Sequence, residues 1–233
     1  MKTGYFALLA GALSLAGCVI ETAGPLRHDF RSFERDNSEE VRVNLNMGAG
    51  NLQVGTGTGK LVSADFAYNV PSWKPDVRYH SIAGRGSLTI EQPGQTHTHM
   101  GGQKYEWDVR FSRDVPLRMN VHFGAGEARL DLGNLSLRSV DVEMGVGQLQ
   151  MDLRGNPTHD YDVHIRGGIG EATVRLPSGV GVIADAEGGI GEIKTSGLRR
   201  EGHRWVNESY ERSKVTIHLD VRGGIGAIHL ISD

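Results

Sequence analysis

Residues 140–151 read VDVEMGVGQLQM. Val140, Val142, Met144 and Val146 alternate with Asp141, Glu143 and Gly145, the two-residue period of a strand with one apolar face. Beyond Gly145-Val146-Gly147 the apolar residues resume at Leu149 and Met151, three residues after Val146 rather than two. A one-residue phase slip inside a strand marks a bend or bulge. The second glycine stands in the slip, where the backbone needs an angle that other residues adopt at a cost.

The unit recurs. Gly-x-Gly with an apolar middle residue appears as Gly48-Ala49-Gly50, Gly124-Ala125-Gly126, Gly145-Val146-Gly147, Gly168-Ile169-Gly170, Gly189-Ile190-Gly191 and Gly224-Ile225-Gly226. From Gly124 onward the steps are 21, 23, 21 and 35 residues. A period of this length signals stacked structural repeats, and the long last step fits one repeat plus an insertion at Leu198–Ser213. Alternating apolar residues lead into the copies, as in Val43, Leu45, Met47 and Met119, Val121, Phe123. They resume afterwards at Leu52, Ala128, Leu149, Ala172, Ile193 and Ile228.

A hairpin tip would carry a polar, exposed middle residue. Here that residue is Ala, Ala, Val, Ile, Ile and Ile, which predicts that the chain bends and continues with this side chain in the core. The fold expected is all-β: a parallel β-solenoid, single-stranded and β-helix-like, with Gly-x-Gly bends. A rolled β-meander with the same bends is the alternative. Stacking in chain order would place Glu143, Arg166, Glu187 and Arg222 on the outer face with alternating sign. Gly167, Gly188 and Gly223 replace Met or Phe just before the bend, and their missing volume is expected to be taken up by the adjacent middle Ile. The repeat also accounts for much of the glycine content, 33 of 233 residues, about twice the usual share.

The N-terminus sets an address. Met1-Lys2 and the uncharged stretch Tyr5–Ala16 read as a signal peptide too short for a comfortable membrane span. Leu15-Ala16-Gly17-Cys18 resembles the bacterial lipobox, which implies lipid attachment at Cys18, the chain's one cysteine. Val19 after it, rather than Asp, points to the outer membrane. The organisation expected is a signal peptide at 1–17, a tether at 18–40 and the β-domain at 41–233 with an inserted loop at 198–213. The acyl chains on Cys18, not charge, would hold the chain at a bilayer, because its formal charge is −3. That charge also argues against nucleic acid as a partner.

Trp107-Asp108-Val109, Val115-Pro116-Leu117, Gly124-Ala125-Gly126, Leu130-Asp131-Leu132 and Leu135 resemble, in order and spacing, the bacterial toast-rack domain. The later Gly-Ile-Gly copies are similar to the C-terminal domain of cell-wall-active-antibiotic response proteins and to the "putative adhesin" families. The resemblance runs from Val41 to the C-terminus. It implies a glycine-bend-rich β fold at the bacterial envelope and supplies no catalytic residues.

A search for chemistry finds little. Gly55-Thr56-Gly57-Thr58-Gly59-Lys60-Leu61 has Val54 where a phosphate-binding loop needs its first glycine, and Leu61 where it needs Ser or Thr. His97-Thr98-His99 has no close third ligand and reads as surface histidines, so no metal and no cofactor are expected. Asp185 and Asp220 fall on outward positions of late repeats and could resemble a glycosidase pair, although an ordinary acidic ladder is the better reading. The insertion carries Arg199, Arg200, Arg204, Trp205 and Tyr210, residue types enriched at interfaces. These are the candidate partner contacts; the competing role is a cap on the last repeat. The expected function is a non-enzymatic, lipid-anchored envelope protein with a binding, adhesin-like or scaffolding role toward an envelope protein or cell-wall polysaccharide. The alternatives are an envelope-stress regulatory or sensory protein and a polysaccharide-active enzyme. Oligomeric state is left open.

Overall fold

In a computed structural model of the chain, which describes residues 20–21, 23–94, 98–99 and 102–233, nearly all regular structure is strand. In chain order the strands are β1 (Ile20–Glu21), β2 (Arg27–Phe33), β3 (Glu40–Thr56), β4 (Val62–Tyr68), β5 (Asp76–Ile82), β6 (Arg85–Glu91), β7 (Thr98–His99), β8 (Tyr105–Phe111), β9 (Leu117–Asp131), β10 (Leu137–Asp152), β11 (Tyr161–Leu176), β12 (Gly181–Ser196), β13 (Arg199–Glu201), β14 (Arg204–Val206) and β15 (Thr216–Ser232). One 3-10 turn, Pro71–Trp73, interrupts them. The six Gly-x-Gly copies sit mid-way along the six long strands, which run parallel in the order β3-β9-β10-β11-β15-β12.

Each long strand folds over at its glycines. Residues before and after the crease face one another across a single core that includes Val163, Ile165 and Val174 of β11. The crease is held in register: Gly126 pairs with Gly50 and Gly147, Gly170 with Gly147 and Gly226, and Gly226 with Gly191. The second glycine of every copy has φ between +124° and +145°, a region that side chains disfavour. All-β, parallel and continuous through the bends, the architecture follows the sequence pattern.

Three expectations are corrected. The first concerns the middle residue of the motif, which is outside the core. Val146, Ile169, Ile190 and Ile225 are among the most exposed large apolar residues of the molecule. The backbone turns at the first glycine, so all four residues between Met144 and Leu149 stay out of the core. The second concerns volume, which is exchanged across the corner rather than with the middle residue. A Cβ on Gly223 would lie 3.1 Å from Ile228 Cδ1, one on Gly188 would lie 3.9 Å from Ile193 Cδ1, and one on Gly167 would lie 3.3 Å from Met144 Cε. Side chains from beyond the bend, or from the next strand, fill the space the glycines leave.

The third correction is strand order. β15 enters between β11 and β12, so the stack does not follow the chain. Glu143 and Arg166 still pair, at 3.6 Å, but Arg166 lies beside Arg222. Arg222 is neutralised elsewhere, by Asp220 at 2.9 Å and by Glu187 on β12.

The segment read as a tether is partly folded. β2 pairs antiparallel with β4 from Arg27 to Phe33, and Phe33 packs on the core. Any tether therefore ends before Arg27. β1 and β7 form a separate short parallel pair, and Cys18 lies outside the described residues.

The two ends of the stack differ. At the β3 end the edge is sealed: β6 pairs with Glu40–Asn46 and β8 with Asn51–Thr56. Between them, at the crease, Gln92 Oε1 accepts from the Gly48 and Ala49 N–H groups at 2.7 and 3.1 Å. Replacing Gln92 by Leu keeps the bulk and orphans both donors, which is expected to lower stability by about 1–3 kcal/mol in a denaturant titration. At the β12 end, β14 pairs only with Ile183 and Ala184.

Candidate interaction surface

The crease turns the middle residues into a ridge. In spatial order they are Ala49, Ala125, Val146, Ile169, Ile225 and Ile190, each the direct neighbour of the next. With strands about 4.8 Å apart, five steps give a ridge about 24 Å long. It grows from Ala to Ile toward the open end, and Ile190 is 72% exposed. Flanking glycines leave nothing beside it to shield it. Aligned exposed aliphatics on a soluble face are unusual enough to mark a contact surface.

Polar rows border the ridge on both sides. One carries Asn46, His122, Glu143, Arg166, Arg222 and Glu187 in spatial order. There His122 Nδ1 lies 3.2 Å from Glu143 Oε2. Hydrogen bonds donated by Arg222 hold the Asp220 carboxyl below its usual pKa, and donating to the Asp220 and Glu187 carboxylates raises that of the guanidinium. The other row carries Asn51, Glu127, Gln148, Glu171, Ala227 and Glu192 in spatial order; Lys194 Nζ reaches Glu192 at 2.6 Å.

The inserted segment is a small hairpin, β13–β14, followed by turns. Of the candidate contacts, Arg199, Arg200 and Arg204 are exposed, while Trp205 and Tyr210 are half-buried. Arg199 pairs with Glu201 at 3.2 Å. The Arg200 guanidinium lies over the Trp205 ring, 5.5 Å from its centroid, and Trp205 packs on the core. Thus the three arginines are exposed while Trp205 anchors the segment, and the hairpin covers the start of β12. The anchor that sequence reasoning missed is Asn207, which is buried. Its side chain accepts from Val182 N–H at 3.0 Å and donates to the Pro177 and Val180 carbonyls at 3.1 and 2.7 Å. Asn207→Ala strands three backbone groups, and a loss of about 2–4 kcal/mol is expected in thermal melts.

Asp185 and Asp220 are direct cross-strand neighbours. Hydrogen bonds donated by Arg222 hold Asp220 in a surface ion pair at 2.9 Å. His203 Nε2 lies 4.0 Å from Asp185 Oδ2. Among the described residues no group of three or more His, Cys, Asp or Glu is arranged to hold a metal, and no helix is long and apolar enough to cross a membrane. His97 lies outside the described residues.

Residues 22–175 match the family model described as the N-terminal domain of toast_rack. The chain belongs to the toast-rack family. Residues 126–230 also match the model for the C-terminal part of LiaF, a cell wall-active antibiotics response protein. The crystal structure of a "putative cell adhesion protein" from Clostridium sporogenes is 32% identical, covering 90% of this chain and 100% of that one, with a TM-score of 0.87. A "putative adhesin" from Bacteroides fragilis covers 91% of this chain and 99% of that one, but at 10% identity and a TM-score of 0.34. No curated protein matches the toast-rack chain.

Proposed function

We propose that this toast-rack protein is a lipid-anchored component of the bacterial envelope, held through Cys18 in the outer membrane. Its solenoid-like stack presents a non-enzymatic, adhesin-like binding face to an envelope protein or cell-wall polysaccharide. The observation that carries the reading is the exposed ridge Val146-Ile169-Ile225-Ile190. Folding does not require four aliphatics in solvent, whereas a binding face does. The cell adhesion name of the Clostridium relative and the match to a cell-wall response protein support the same location. The arginines of the 198–213 hairpin stand beside the end of the ridge strands and extend the face with positive charge.

Beads coated with the protein and applied to whole bacterial cells test the binding reading. Serine at Val146, Ile169, Ile225 and Ile190 together should abolish attachment while leaving the protein folded, with a cooperative melt lowered by the loss of about 2–3 kcal/mol of contacts along the ridge. Unchanged attachment would reject the ridge as the binding face. Mass spectrometry of the mature N-terminus tests the anchor: an acylated Cys18 is expected, and an unmodified one would refute it. The regulatory alternative rests on the match at residues 126–230; it predicts that deleting the protein alters the transcriptional response to cell-wall antibiotics.

A further inference from the structure

The β12 end of the stack is left open where the β3 end is sealed. β3 has β6, Gln92 and β8 along its whole outer edge. β12 has β14 at Ile183 and Ala184, and among the described residues no strand pairs with the outer edge of Asp185–Ser196. The core is thin there as well: Ala186, Ile193 and Thr195 point inward yet stay half-exposed. An open edge with an exposed core end is a template for another strand.

The edge is complementary to itself. Outward residues are Asp185 and Glu187 before the crease and Glu192, Lys194 and Ser196 after it. An antiparallel copy centred on the crease places Glu187 opposite Lys194 and Lys194 opposite Glu187, two reciprocal ion pairs. On the inner side the same register sets Gly188, which has no side chain, opposite Ile193. Charge and volume thus match in one alignment that keeps inner residues on the inner face. The ridge also becomes continuous through the two copies, with Ile190 of each, 72% exposed in one copy, opposite Gly191 of the other and diagonal to its Ile190 at the centre.

We propose that the free edge of β12 pairs antiparallel with the same edge of a second copy, Glu187 of each chain facing Lys194 of the other. A two-fold, self-complementary contact is what a closed dimer requires. Glycine carbonyls of each inner strand aim at the next strand, as the 1.7 Å approach of a Gly191 Cβ to Gly226 O shows. Gly189 and Gly191 therefore present acceptors at the crease, and direct pairing is confined to the arms on either side. With about ten residues a side, against the 20–30 of a standard interface, the dimer is weak. Co-anchoring on one membrane would strengthen it by raising the local concentration.

Sedimentation velocity on the full chain in detergent, over a concentration series, tests this. The parent should show a reversible monomer–dimer equilibrium. Glu187→Lys or Lys194→Glu alone sets like charges opposite each other and should weaken dimerisation about tenfold. The double exchange should restore it, although it also loses the Arg222 and Glu192 contacts of the monomer, so recovery reports the pairing itself. In a Cys18→Ser background, Ile190→Cys, at a site where substitution leaves the core intact, should form a disulfide-linked dimer on oxidation. A parent that stays monomeric throughout, whether alone or with other chains bound to the edge, would overturn the proposal. So would a dimer indifferent to both single exchanges, or one that Ile190→Cys fails to link.

Discussion

Gly147→Ala is expected to prevent folding or to lower stability by about 4 kcal/mol or more. Two independent costs meet at this residue. Its φ is +139°, a conformation that an L side chain rarely adopts, and the added Cβ would lie 1.9 Å from Gly126 O on the neighbouring strand. Neither can relax locally. Moving Gly147 away from Gly126 pulls it from β9 and pushes it toward Gly170 on β11, whose own Cβ position is 1.8 Å from Gly147 O. The crease is a column of such contacts, so one methyl group disturbs a register shared by six strands. Chemical denaturation with circular dichroism measures the effect. By contrast, Gly57→Ala, where an added Cβ meets nothing within 4 Å, carries the strained-angle cost alone and should lose much less.

Much of the fold was legible in the sequence because the period-2 pattern has a physical cause that sequence alone carries. Val140, Val142 and Met144 before the bend, and Leu149 and Met151 after it, are buried as the alternation requires. The location of the bend was legible for the same reason. The orientation of Val146 was not. Its parity with Met144 continues the inward series, and its aliphatic side chain agrees with that parity, yet the chain has already turned at Gly145. The signal that would have found this is the five-residue interval from Met144 to Leu149, which leaves room for a fully outward crease.

The order of the last strands was hidden by the charges. Glu143, Arg166, Glu187 and Arg222 alternate in chain order, but β15 enters between β11 and β12 and sets Arg166 beside Arg222. Pairing within one strand, Asp220 with Arg222, relieves that contact, and a two-residue pairing of this kind is invisible to a reading that looks only across repeats. The sealing residue Gln92 was also silent. Its role depends on β6 ending beside the crease of a strand more than 40 positions earlier in the chain. For the surface, the composition of the 198–213 segment located the hairpin but not the division of labour within it, in which Trp205 anchors and the arginines are exposed.

The central claim is that the crease faces outward, and one strand tests it with two substitutions. Ile165 and Ile169 lie four residues apart on β11. Ile165 is 1% exposed and Ile169 49%. Aspartate at Ile165 would put a carboxylate into the core with no partner, at a cost of about 4 kcal/mol or more. Aspartate at Ile169 would lose only its contacts with Val146 and Ile225 on the outer face, about 1 kcal/mol. Parallel thermal melts should therefore show Ile169→Asp unfolding close to the parent and Ile165→Asp unfolded or severely destabilised. Equal collapse of both variants would place the middle residue back in the core and contradict the outward crease.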